Sequence, residues 1–422
     1  MLSNVTRLAL VMVGRCLTAS PFSAMDPFLS LLDVNGNLSS MPNRREIFKS
    51  RLGTYYTAQV LLGVPAGYCN RYLGPRRTVA LGLLMQAAAL SLLFISPFEE
   101  TITMAGILGA ASNQLGLSAT SGVGVLFPGK GPSIVTLLAV TADLSMMLPL
   151  LLLNLAEGLG TPTVYKIWMG LIVVGALLFA ASMPKVAFEP PVVLNDKSSL
   201  LADETGSVNT HEIIRVSTLD QVLTVPYAGL LVYIISGFIR NRKFFAPNMR
   251  DVFQSVIGPS RGAILADRLN LANGLAFIPA VLLGFIAQKL GISTVFWLHS
   301  VMGILLIALP LGPPDLLMVG EPIAWGFCCY HLSLVGLYVS DQFGFENYGV
   351  LTGVAGLASG VFGVAYDLGW TSFFHEYLDG SYVNALRLLL INAFAVLIIP
   401  LGMSLSKKAS YKSGEVRYSE SL

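Results

Sequence analysis

Charge is what this sequence has least of. Only 12% of its 422 residues are Asp, Glu, Lys or Arg, about half the share found in an ordinary soluble domain. Hydrophobic residues make up 54% and the mean hydropathy is +0.69, so water cannot be the chain's main solvent. A net charge of +2 is too small to hold a polyanion, and no basic run or nucleic-acid motif is present, which excludes nucleic acid as a partner. Cysteine is scarce as well. Cys16, Cys69, Cys328 and Cys329 lie in or beside apolar stretches, without metal-ligand spacing or a pairing between loops, and read as small core residues. The phosphate-binding loop of a nucleotide-driven pump, the HExxH of zinc hydrolases and the nucleophile elbow are all missing. Neither an enzyme nor an ATP-driven pump is expected, and no cofactor or metal. The first apolar stretch is interrupted by Arg15 and Asp26 and lacks a small-residue cleavage site, so it reads as a membrane span rather than a cleaved leader.

What the chain has in abundance is apolar windows of about 20 residues, long enough to cross roughly 30 Å of hydrocarbon. Stretches such as LPLLLLNLAEGLG from Leu148 and RLLLINAFAVLIIPLGM from Arg387 show none of the alternation of a transmembrane β-strand. The expected fold is an all-α polytopic membrane protein of about 12 transmembrane helices in two six-helix bundles. Breaks carrying charge, Pro or Gly place spans near 8–32, 55–73, 78–97, 102–127, 134–155 and 164–183, then near 222–250, 268–290, 294–311, 321–340, 348–368 and 382–404. The domains follow: 1–186 and 221–406 as bundles, 187–220 as a polar connector rich in Asp, Glu, Ser and Asn that reads as disordered, and 407–422 as a polar tail. An even number of spans puts both termini on one side, taken as the cytosol, although Lys/Arg asymmetry is weak. The sequon Asn37-Leu38-Ser39 then falls in the first external loop.

Two copies of one helix-end pattern occur six spans apart. GVPAGYCNRYLGPRR follows the second span and contributes Gly67, Gly74, Arg76 and Arg77; GFIAQKLG follows the eighth with Gly284, Gln288, Lys289 and Gly291. The second copy has the spacing of the major facilitator superfamily loop motif, while in the first Asn70-Arg71 sit one place early, and neither carries the acidic residue of the family pattern. A charge latch is therefore not expected, whereas close helix packing through Gly63, Gly67 and Gly74 is. Within that superfamily the chain resembles solute carrier family 43. PAGY at residue 65, SIVTLLAVTAD at 133 and FENYGVLTGVAGLASGVFG at 345 carry the resemblance, which runs loosely from about residue 45 to 405, the connector excepted. That family holds facilitative carriers of large neutral amino acids and of nucleobases, with related fungal and apicomplexan amino acid transporters. The resemblance implies a monomeric, cofactor-free uniporter of a small solute, most simply an amino acid, working by alternating access between two bundles. A nucleobase or organic-anion carrier, with or without proton coupling, is the rival of the same fold, and a non-transporting receptor or scaffold the rival of another class.

A charge in hydrocarbon needs a cavity or a partner, and this selects the site candidates. Asp143, seven residues after Thr136, is placed either to bind a substrate ammonium or to pair with Arg15. Asn113 and Gln114 in the fourth span, and Asn270 and Asn273 in the eighth, present amides to a central site or serve as interhelical glue. Tyr233 in the seventh span and His331 beside Tyr330 in the tenth complete the substrate-binding set, His331 having the alternative of a hydrogen-bonded core residue. Asp26 is explained by exposure. Asp367 and Arg387 are expected to pair with each other or reach the headgroups. The run Arg240, Arg242 and Lys243 is expected at the headgroups, the alternative being an outer vestibule that draws in carboxylates, with the seventh helix extended outward past Asn248. DKSSLL at Asp196 resembles an acidic dileucine sorting signal, which leaves the plasma membrane and an endolysosomal or vacuolar membrane both open.

Overall fold

The computed structural model describes residues 3–18, 31–32, 44–95, 99–127, 130, 133–138, 141, 148–185, 218–344 and 347–405. Helix is present in each of the twelve expected stretches and no strand occurs among the described residues. In the first half run α1 (Asn4–Thr18), α2 (Arg44–Leu61), α3 (Gly63–Leu73), α4 (Pro75–Ile95), α5 (Glu99–Ser121), α6 (Leu148–Leu159) and α7 (Thr161–Ser182). The second half holds α8 (Val225–Gly237), a π-helical segment (Phe238–Phe245), α9 (Ala246–Ile257), α10 (Pro259–Gly274), α11 (Phe277–Leu290), α12 (Ile292–Ala308), α13 (Pro314–Cys329), α14 (Ser333–Gln342), α15 (Tyr348–Tyr377), α16 (Tyr382–Ala395) and α17 (Ile398–Leu405). A turn of helix at Thr218–Val222 occupies the end of the stretch expected to be a disordered connector. The rest of that stretch lies outside the described residues.

Glycine at positive φ sets the corners between consecutive helices. Gly74 (φ 77, ψ 161) and Gly291 (φ 90, ψ 162) end α3 and α11 in the same conformation, one that a Cβ would strain. Gly160 and Gly258 make the equivalent corners before α7 and α10. Pro75, Pro162 and Pro259 open the following helices, where a missing N–H costs nothing because that donor has no partner inside the helix. The two loop motifs read in the sequence are thus the same backbone corner used twice.

Among the described residues, five helices are long and apolar enough to cross a membrane alone: α4, α7, α15, and the runs Ile292–Leu311 and Tyr382–Met403. The bent pair α13–α14 makes a sixth, turning by 50° at the 3-10 turn Tyr330–Leu332. Other crossings are assembled from pieces. The span expected at 222–250 is α8, the π segment and α9, and it continues to Ile257. Pro247 lies in the first turn of α9, where it has no N–H to give and its ring crowds the carbonyl four residues back. The wider π turn before it relieves that conflict.

One apolar core is formed by residues between Leu8 and Met183, with Trp168, Leu90 and Val123 fully buried. Two further cores belong to the second half, one around Tyr227, Phe296 and Leu351 and one around Phe253, Trp325 and Leu386. Among the described residues, Val135 is the first-half member of the core around Tyr227, Phe296 and Leu351. Leu84, Leu177, Leu368 and Ile391 stand exposed on the outside of their helices, as expected where lipid is the solvent.

Candidate functional site

The π segment carries the sequence FIRNRKFF, and its polar side chains point inward rather than to the membrane edge. Arg240, Asn241, Arg242 and Lys243 are 4%, 0%, 8% and 4% exposed, so the expectation that this run meets headgroups is overturned. The segment sits in the middle of a long crossing, and a π turn sweeps successive side chains through wider spacing than an α turn. Each cation therefore finds its own surroundings. Lys243 Nζ binds Asp367 at 2.5 Å and donates to Thr57 Oγ1 at 2.7 Å. Arg242 donates to the Cys329 carbonyl at 3.0 Å and lies over the ring of Tyr56, 5.3 Å from its centroid. Arg240 Nε donates to Asn241 Oδ1 at 2.9 Å, and Asn241 in turn donates to the Cys328 carbonyl. The pairing expected between Asp367 and Arg387 is also overturned, since Lys243 takes Asp367 and Arg387 reaches Asn384.

Tyr56 and Thr57 belong to α2, so Arg242 and Lys243 bridge the first half to the second. Below them the halves touch along two seams. Gly63 and Gly67 of the first loop motif lie against Gly353 and Gly349 of α15, where a Cβ on Gly67 would stand 2.6 Å from the Gly349 carbonyl oxygen. Gly356 meets Val60 in the same way. On the other seam Ser133 donates to Gln288 Oε1 at 3.0 Å, Thr136 packs on Gly284, and the Tyr330 hydroxyl donates to Thr136 at 2.9 Å. Backbone-to-backbone approach of this kind is what small residues permit in membrane helices.

Behind the π segment lies a small cavity, with room for about one water-sized group. Tyr233, Ser236, Gly237 and Arg240 line one side of it, with Ser300 of α12 and His331 opposite and Ala393 and Val396 closing it. The Tyr233 hydroxyl is 2.7 Å from His299 Nδ1 and 3.0 Å from Ser300, and His331 Nε2 donates to the Ile234 carbonyl at 2.8 Å. The His299 and His331 rings stack with centroids 5.2 Å apart. Glu321 of α13 is fully buried, and neither of its oxygens meets a hydrogen-bond partner.

No family model matches the chain. A curated relative from Toxoplasma gondii, named amino acid transporter 6-1, is 24% identical over 352 residues, covering 72% of this chain and 58% of that one. The chain therefore spans less than two thirds of that relative's length. Among solved structures, the proton:xylose symporter XylE bound to 6-bromo-6-deoxy-D-glucose superposes with a TM-score of 0.64 at 12% identity over 95% of both chains. FucP, a major facilitator superfamily transporter in the outward conformation, superposes with a TM-score of 0.60 at 13% identity, over 95% of this chain and 99% of that one.

The chain has the major facilitator fold. It is a multi-pass integral membrane protein.

Within the major facilitator fold the sequence candidates fall in different places. Asp143 and Asp26 lie outside the described residues, and so does the side chain of Asn270. Asn113 and Gln114 stand half-buried on α5, away from the cavity. Asn273 accepts from the Cys329 thiol at 3.1 Å, beside the break between α10 and α11. Tyr233 and His331 come together in the cavity. Arg76 holds the end of α7 through the Met183 carbonyl at 2.9 Å, Arg77 is exposed, and Lys289 stands 6.0 Å over Phe285. Sequence reasoning missed His299 and Glu321. Nothing in their immediate neighbours marks them, but an ionisable side chain inside an apolar span was itself the signal.

Proposed function

We propose that the chain carries a small solute across the membrane by alternating access, an amino acid in the first place, and that Arg242 receives the solute's carboxylate between the bundles. The observation that carries this is the position of Arg242. It is a buried guanidinium, grown from a π segment in the second bundle and laid on Tyr56 of the first. A planar guanidinium binds a carboxylate through two parallel hydrogen bonds, and an aromatic face beneath it keeps the fork oriented. A solute bound there touches both bundles, so its binding free energy acts on their relative orientation. The named relative supports the amino acid class. Asp143 is the sequence's candidate for the ammonium, and the solute's own gradient drives the flux. An organic anion would use the same cation, which makes it the second reading. Uptake of a labelled panel of amino acids, nucleobases, organic anions and sugars by cells expressing the protein tests the proposal. Saturable uptake confined to carboxylate-bearing solutes is expected, and uptake of sugars alone would overturn it.

A further inference from the structure

The cavity behind the π segment is a different site from the one between the bundles. Every described side chain lining it comes from the second half of the chain: Tyr233 and Arg240 from the seventh crossing, Ser300 from the ninth, His331 from the tenth, Ala393 and Val396 from the twelfth. Arg240 supplies its charge. The residue is 4% exposed and spends Nε on Asn241. No carboxylate pairs with it among the described residues, where neither terminal nitrogen has a hydrogen-bond acceptor. Its guanidinium lies over Gly303 so closely that any Cβ there would strike it, and glycine at that position is what leaves the fork room. Glu321 does not neutralise it, since both carboxyl oxygens of that residue are unpartnered.

A buried cation with no counter-charge is expensive in hydrocarbon, and charges of this kind face a cavity or a partner. Here a cavity is present beside the guanidinium, and it is small. We propose that this pocket is an anion site inside the second bundle, taking one small carboxylate or halide on the free fork of Arg240, apart from the solute path. A carboxylate matches the two terminal nitrogens in bidentate geometry. The Tyr233 and Ser300 hydroxyls are already engaged by His299 and the Phe296 carbonyl, so Arg240 sets the affinity. Neutralising it also stabilises the π segment from which Arg242 and Lys243 project.

Thermal unfolding of the purified protein in an uncharged detergent, at constant ionic strength, reads this directly. Formate, acetate and chloride should each raise the midpoint saturably, by about 3 °C near a hundredfold excess over the dissociation constant, and gluconate, too large for the cavity, should not. Arg240→Gln should abolish the rise. Ala393→Phe, which fills the cavity and keeps the cation, should abolish it too and serves as the second variant if Arg240→Gln fails to fold. A rise given by octanoate but not by formate would place the binding on an apolar surface outside this small cavity and would overturn the site. No saturable rise with any of these anions, or an equal rise in Ala393→Phe, would overturn it, as would a rise confined to transported solutes. The readout is binding, so an absence of flux does not touch this inference, and intact flux without an anion response sinks it alone.

Discussion

Arg240 and Arg242 stand two residues apart in one π segment and serve opposite faces of the second bundle. Arg242 lies 5.3 Å from the Tyr56 ring centroid across the bundle interface, while Arg240 lies over Gly303 inside its own bundle. A regular α turn separates such neighbours by about 200°, and the π turn adds width that lets both be buried. Substitutions at the two positions are therefore expected to do different things.

Arg242→Gln should raise KM for a carboxylate-bearing solute by about 10- to 100-fold, the loss of a charge-assisted hydrogen bond worth about 1.5–3 kcal/mol. Arg242→Lys should recover little, because an ammonium has neither the planar fork nor the stacking surface. Initial-rate uptake, corrected for surface expression, measures both. Wild-type KM in Arg242→Gln would remove this residue from the solute site.

The Lys243–Asp367 pair is asymmetric in exposure, its side chains being 2% and 49% accessible. Removing Asp367 leaves a buried ammonium with only Thr57 to meet it, and removing Lys243 leaves a carboxylate that can turn to solvent or headgroups. Asp367→Asn should therefore destabilise by more than Lys243→Gln, approaching the roughly 3 kcal/mol of a broken buried pair, while Lys243→Gln costs about 1 kcal/mol. Thermal unfolding in detergent compares the two, and equal midpoints would contradict the asymmetry.

The glycine seam between α3 and α15 has no slack. A Cβ on Gly353 would stand 2.6 Å from the Val64 nitrogen, whereas Gly106 on α5 has nothing within 4 Å. Gly353→Leu should hold the bundles apart at that end and Gly106→Leu should not. Thiol accessibility of Cys69, two residues beyond Gly67 of the seam and half-exposed, reports the opening as faster alkylation. An unchanged rate in Gly353→Leu would mean that the seam does not close that end.

Much of the architecture was legible before any coordinates. Spans are set by continuous apolar length, which lipid imposes, and the corners at Gly74 and Gly291 announce themselves because no other residue adopts that backbone cheaply. Gly63 and Gly67 were read as packing glycines, and their partners, Gly349 and Gly353, lie in the very stretch that carried the family resemblance. The site was harder to read. A run of Arg and Lys near the end of an expected span looks like an edge of the membrane, and its burial depends on a π segment that local sequence announces only through Pro247. Asp367 was set against Arg387 or the headgroups because both stand near the outer ends of the last two spans, whereas its buried partner Lys243 comes from the seventh crossing. His299 was passed over because its meaning arises only when α12 sets it beside Tyr233 and His331.

Entrance counterflow in sealed vesicles containing only the purified protein and lipid tests the carrier reading most directly. Vesicles preloaded with unlabelled amino acid should take up the labelled solute transiently above its equilibrium level, with Arg242→Gln much reduced and Arg240→Gln still competent. Folded wild-type protein that gives no overshoot with any amino acid or organic anion would contradict it.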